Sequence, residues 1–452
     1  MNDDSDTPFS FNPSEKIPDN VEENVNDSCF NKNKKLIFII IGFLVVALVI
    51  AILIIILSKK KGENNQSNGA ILRSHNYLKA KYEVPQDKMT IKLYSQYSLP
   101  PSPLAYNIYI FSILIDNTTS IKINDGSHTF DKKGNYTIFI YFSEVDKFSN
   151  LDNFFFNCEN LIQIDFTHFD IRPIKTMNSL FKGCDKLTKL IYPNIFNTSN
   201  LVDMSQLFSS CISLESIDLT KYNTSKVEKM DSLFDGCKKL KSINFNKIKT
   251  SNVVSMRRMF SGCVSLTSID LSGFDTSKVT NFESMFSQCA SMTTFSTEYI
   301  KTDSAIDISH MFKDCIGLIM VSLDNFKTNN VFDATFLFEG CNRLKSVTMK
   351  NWETPNLEYM NNMFHNCQSL TSLDLSSFDT PKLKEIELTF SGCSSLSSLD
   401  LSNLNTTLVE DLTDVFKGLP QEGTIKYNPT KLTPNIKNLI PSNWKRETTD
   451  DE

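Results

Sequence analysis

The sequence predicts an α/β solenoid: one short helix and one short parallel strand per 26-residue coil, a small β-rich N-terminal cap and one N-terminal transmembrane helix. Three observations predict it. Ten of the eleven cysteines, from Cys158 to Cys393, recur every 26 residues, with a single step of 27 between Cys184 and Cys211. Phe stands three residues before each of them, from Phe155 to Phe390, and Phe416 continues the series with Leu419 in the cysteine's place. Leu36 to Leu57 is an uncharged apolar run of 22 residues, long enough at ~1.5 Å per residue to cross a hydrocarbon core.

Composition narrows the rest. A net charge of −6 and the lack of a basic stripe argue against nucleic acid as a partner. The chain begins with an acidic, Asn- and Pro-bearing stretch, residues 1–35, that reads as a disordered cytosolic tail. Cys29 within it is a candidate for lipidation, set against an ordinary free thiol. Residues 36–58 form the transmembrane helix, acting as a signal-anchor, and 59–75 a polar stalk. Lysines flank the apolar run almost equally, so the positive-inside count does not fix its orientation. A short tail before a lone anchor places the C-terminal part outside, in the plasma membrane; the reverse leaves it in the cytosol.

Residues 76–145 contain strand-like runs such as MTIKLY (89–94) and YTIFIYF (136–142), and read as the cap. The solenoid runs from 146 to 420. In Leu266-x-x-Ile269-x-Leu271 the last two apolar residues alternate with polar ones, the period of a short strand. Asp275-Thr276-Ser277 has the chemistry of a helix N-cap. Val279, Phe282, Met285, Phe286 and Cys289 follow at spacings that make an apolar helical stripe, and Gly262 and its equivalents precede the cysteine where that helix must end. Such a unit cannot bury its own apolar side, but stacked units can, with Phe and Cys as ladders of buried residues. The cysteines read as small, buried, reduced thiols rather than disulfides, and not as metal ligands because no Cys-x-x-Cys occurs and the five His are scattered. Residues 421–445 form a C-terminal cap, with Gly423–Tyr427 as a last strand, and 446–452 a disordered tail.

The segments CVSLTSIDLSGFDTSKVTNFESMFSQC (263–289) and CQSLTSLDLSSFDTPKLKEIELTFSGC (367–393) resemble the BspA-like class of leucine-rich repeat proteins, the 26-residue bacterial surface protein repeat also called DUF285. The resemblance covers about residues 150–420 and implies a leucine-rich repeat solenoid on a microbial surface, with adhesion in some members. Two copies depart from the motif: 184–211 carries Ile191-Tyr192-Pro193, and 289–315 carries Phe295-Ser296-Thr297.

Two kinds of work compete. The first is binding of a protein or glycoconjugate ligand on another cell or matrix, through residues seven after each cysteine: Asp165, Asp218, Asn244, Asp270, Asp374 and Asp400, with Ser296, Ser322 and Thr348 between them. Such an acidic and hydroxyl row suits a basic or hydroxyl-rich partner, or calcium; the blander reading is that Asp recurs with the repeat and faces water. The second is catalysis, for which no nucleophile elbow, phosphate loop, zinc motif or dinucleotide fingerprint is present, so no enzyme activity, cofactor or bound metal is expected. Asn65, Asn117, Asn135, Asn197, Asn223 and Asn405 begin Asn-x-Ser/Thr sites for glycosylation.

Overall fold

The computed structural model describes residues 76–95, 110–121, 123, 125–143, 145 and 149–449. The expected tail, transmembrane helix Leu36–Leu57 and stalk, with Cys29 and Asn65, lie outside them. Among the described residues no helix is long and apolar enough to cross a membrane. The described residues all belong to one compact unit.

The cap is built on β1 (Asn76–Val84) and β6 (Gly134–Phe142), paired antiparallel from Asn76↔Phe142 to Val84↔Gly134. β3 (Ile110–Ile115) and β4 (Thr119–Ile121) extend that sheet, while β2 (Met89–Lys92) and β5 (Ser127–Phe130) pair separately. Alternate residues of β1, Leu78, Ala80, Tyr82 and Val84, are buried, as its period-two pattern requires. On its other edge β1 pairs antiparallel with β7 (Leu161–Asp165), the strand of the first coil. The cap and the coils therefore share one sheet edge and one continuous apolar core.

The remaining coil strands are three or four residues long, except for one of two: β8 (Lys189–Ile191), β9 (Ser216–Asp218), β10 (Ser242–Asn244), β11 (Thr294–Phe295), β12 (Met320–Ser322), β13 (Ser346–Thr348), β14 (Ser372–Asp374) and β15 (Ser398–Leu401). Where they pair they are parallel and in register, as in Ser242↔Ser216 and Leu373↔Leu399. The sheet is interrupted, however: β8 does not pair with β9, nor β13 with β14, and residues 268–270 form no strand. The first break follows Pro193 in the 27-residue coil, where Ile195 is 85% exposed.

The continuous spine is on the other side of each coil, and there the expected helix is absent. In the coil ending at Cys289, the N–H groups of Phe282, Ser284, Phe286 and Gln288 donate to the carbonyls of Asp307, Ser309, Met311 and Lys313 in the next coil. The amides between them close tight turns, as in Met285 N–H to Phe282 and Ser287 N–H to Ser284. The geometry works because two residues per coil, five and one before the cysteine, take left-handed backbone: Ser284 at φ +57° and Gln288 at φ +60° here. All eleven coils keep this pair, through Asp414 at φ +53° and Gly418 at φ +77°. Two left-handed residues in seven are incompatible with an α-helix. The turns repeat every four residues, so their inward residues mimic a helical stripe, which is why the sequence misleads.

Three buried ladders fill the stack. Ten successive ring pairs join Phe155 to Phe416, with centroids 5.5–6.2 Å apart and planes within 16° of parallel. That is offset stacking, worth about 0.5–1.5 kcal/mol per pair beyond burial. The ten cysteines are free and buried. From Cys184 to Cys393 each S–H donates to the carbonyl of the preceding coil's Phe at 3.0–3.3 Å. Burial pushes the thiols up, to about 12 at Cys315 and Cys393. The third ladder is threonine. The Thr276 hydroxyl, expected to cap a helix, instead donates to the Lys301 carbonyl at 2.8 Å and accepts from the Lys301 N–H at 2.8 Å. Thr250, Thr328 and Thr380 clasp the next coil in the same way.

At the C-terminal end β16 (Thr424–Tyr427), a short α1 (Pro434–Leu439) and β17 (Lys445–Thr448) close the strand side. β17 pairs parallel with β16 throughout, so the stretch from Arg446, expected to be a disordered tail, is a strand as far as Thr448. Trp444 is buried against this end and its indole N–H donates to the Pro420 carbonyl.

Candidate binding face

The strand side offers an open face along the stack, and the expected acidic row lies on it. Asp218, Asn244, Asp270 and Asp374 are exposed; Asp165 and Asp400 are half-buried. The row is not continuous. Asp218 adjoins Asn244 and Asp374 adjoins Asp400 across paired strands, whereas Asp165 faces Lys79 of β1 and Asp270 belongs to no strand.

Each of the six has a structural task. Its side-chain oxygen accepts the N–H two residues on: Thr167, Thr220, Asn246, Ser272, Ser376 and Ser402, at 2.9–3.1 Å. These are Asx turns that leave the strand, and they account for Asp recurring with the repeat. Bonding to Ser272 holds the Asp270 carboxyl below its ordinary value, and bonding to Ser376 does the same for Asp374. Asp400 also pairs with Lys426 at 3.4 Å. Among the described residues no three His, Cys, Asp or Glu side chains could share a metal ion. The row therefore has capping as its evident role and gives no support to a calcium site.

Sequence reasoning missed a second row, two residues earlier in each coil. Ser216, Ser242, Ser268, Thr294, Ser372 and Ser398 are exposed, and no hydrogen bond engages their hydroxyls within the described structure. Met320, 55% exposed, interrupts them. The signal was present, since five after the cysteine the residue is Ser or Thr in most copies. It was passed over for the more conspicuous charges.

Asn117, Asn135, Asn197 and Asn223 are exposed and Asn405 is half-buried. Asn197, Asn223 and Asn405 accept the N–H of Ser199, Ser225 and Thr407, the bond that Asp275 makes with Ser277. They occupy the motif's Asp position and do its work.

Comparison with known proteins follows the fold. A chain from the structure of the Toll–Spatzle complex, a hub in Drosophila development and innate immunity, is 15% identical over 59% of this chain and 40% of that one. Its TM-score of 0.22 is too low to bear on fold or function. This chain spans less than half the length of that one. No curated protein matches. The family profile described as "Mycoplasma protein of unknown function, DUF285" matches residues 149–246, 215–319 and 306–425, together more than half of the chain. These are the coils that carry the Phe and Cys ladders, and the chain belongs to the DUF285 repeat family.

Proposed function

We propose that this is a membrane-anchored surface protein that binds a protein or glycoconjugate on another cell or matrix, non-covalently, through the strand-side face of its solenoid. It works by recognition and not by catalysis. The observation that carries this reading is the row of outward hydroxyls from Ser216 to Ser398 with no bond among the described residues. Hydroxyls already solvated and regularly placed can exchange water for a polar ligand at little cost. The short spacing of the coils repeats the same contact along the face.

The test is binding of the full chain to an array of surface and matrix proteins and glycans. Ser372→Lys with Ser398→Lys should weaken the best hit at least tenfold while leaving the circular dichroism unchanged. Binding that survives this change, or that any unfolded control reproduces, contradicts the reading.

A second reading is favoured by the ten free, buried thiols: a membrane-tethered scaffold with its solenoid in the reducing cytosol. A C-terminal tag on the full chain separates the two. Antibody or protease reaching it on intact cells supports the first; protection until the membrane is permeabilised supports the second.

A further inference from the structure

Over the last seven residues before each cysteine the hydrogen bonds between coils run one way, whereas the residue nine before it donates back to the preceding coil, as the Thr280 N–H does to the Val254 carbonyl. In every coil from the first to the ninth, N–H groups seven, five, three and one before the cysteine point toward the C-terminal end, with one omission at Met230, and alternate carbonyls point back. A parallel β-ladder alternates donors and acceptors on each edge; this one does not. Among the described residues it ends without a lid. In the last coil Leu412, Asp414, Phe416 and Gly418 occupy the donor positions, and none of their N–H groups has an acceptor among the described residues. The strand side of the same end is closed by β17 and Trp444, while the turn side is not. Apolar surface accompanies the bare donors. Leu408 is 54% exposed, and Leu412 is only partly buried where the other coils bury their apolar residue.

We propose that the turn-side end of the last coil is a docking site for a polypeptide segment of a partner that takes the turn conformation of a coil, presenting alternate carbonyls to these four N–H groups and apolar side chains to Leu408 and Leu412. Bond polarity selects this occupant. A second copy meeting this end with its own would set donors against donors. The opposite end is engaged by the cap, where the Ser95 N–H already donates to the Phe154 carbonyl. A segment adding to the row continues the pattern of the first nine coils, of which the tenth keeps three bonds of four, and this is the logic of strand addition applied to a one-directional ladder. This site is separate from the strand-side face and does not depend on it.

The probe is a synthetic peptide of residues 384–394 carrying Cys393→Ala, the chain's own turn segment, added to the full chain. Amide exchange is read residue by residue. At millimolar peptide the exchange of Asp414, Phe416 and Gly418 should slow at least tenfold. Leu388, Phe390 and Gly392, already bonded to the last coil, should not change. Leu412→Pro, which deletes one donor, should reduce the slowing while those three internal amides stay protected, showing the coil still folded. Leu408→Glu should weaken binding without touching the donors. The proposal is overturned if no slowing occurs, if the residue-reversed peptide works equally well, if inorganic phosphate alone gives the same protection, or if the chain instead self-associates through this end.

Discussion

Ser284 distinguishes the observed turn ladder from the helix that its neighbours imitate. It is buried, sits at φ +57°, and donates its N–H to the Ser309 carbonyl at 2.9 Å. A left-handed non-glycine residue costs on the order of 1 kcal/mol that glycine does not incur. Ser284→Gly should therefore stabilise the protein by about 0.5–1 kcal/mol, after allowance for glycine's greater freedom in the unfolded chain. In a helix interior the same change would cost roughly 0.5 kcal/mol. Ser284→Val makes the contrast steeper, because a β-branched residue resists positive φ and should destabilise by about 1–2 kcal/mol or more. Urea unfolding followed by far-ultraviolet circular dichroism measures both. Repeat arrays can lose cooperativity, so the comparison uses the midpoint only if the slope is unchanged. A destabilising Ser284→Gly would refute the ladder at this coil.

The remaining predictions concern the buried columns. Phe286, fully buried between Phe260 and Phe312, should cost about 3–5 kcal/mol as Phe286→Ala, and calorimetry of the variant checks it. Thr276→Val keeps the shape but strands the Lys301 N–H and carbonyl, so a loss of about 1–3 kcal/mol is expected in denaturant unfolding. The ten buried thiols should resist iodoacetamide at pH 8 until denaturant is added, because only thiolate reacts and burial raises their pKa; labelling of native protein at Cys315 would contradict this. Burial, aided by Lys313, holds the His310 imidazole below its ordinary value. Folded His310 thus resists protonation, and stability should fall as pH drops through about 6.5 and level off below the folded value. His310→Gln should remove that part of the pH dependence.

The sequence makes the period and the core residues readable because burial repeats with the coil: Phe, Cys and Thr each mark one fixed contact with a neighbour. The backbone path between them is not readable. The left-handed residue five before the cysteine is Ser284 in one coil, His310, Phe336 and Leu388 in others, and these share no propensity for positive φ. Cross-coil bonding imposes that conformation, which is a tertiary effect overriding a local one. Only the position before the cysteine declares itself, as Gly262 does at φ +69°, where an added Cβ would lie 3.3 Å from the Gly236 Cα. The candidate face was read through its charges. Asp218 and Asp374 do lie there, but Asp followed two residues later by Ser or Thr is turn chemistry, and that spacing was visible all along. The hydroxyls beside them were less conspicuous because serine is common throughout the chain.

The most direct test of the one-directional ladder is a through-hydrogen-bond nitrogen–carbonyl coupling measurement on the deuterated protein. The amides of Phe282, Ser284, Phe286 and Gln288 should couple to the carbonyls of Asp307, Ser309, Met311 and Lys313. Couplings from those amides to carbonyls four residues earlier in the chain would mean that each coil carries a helix after all.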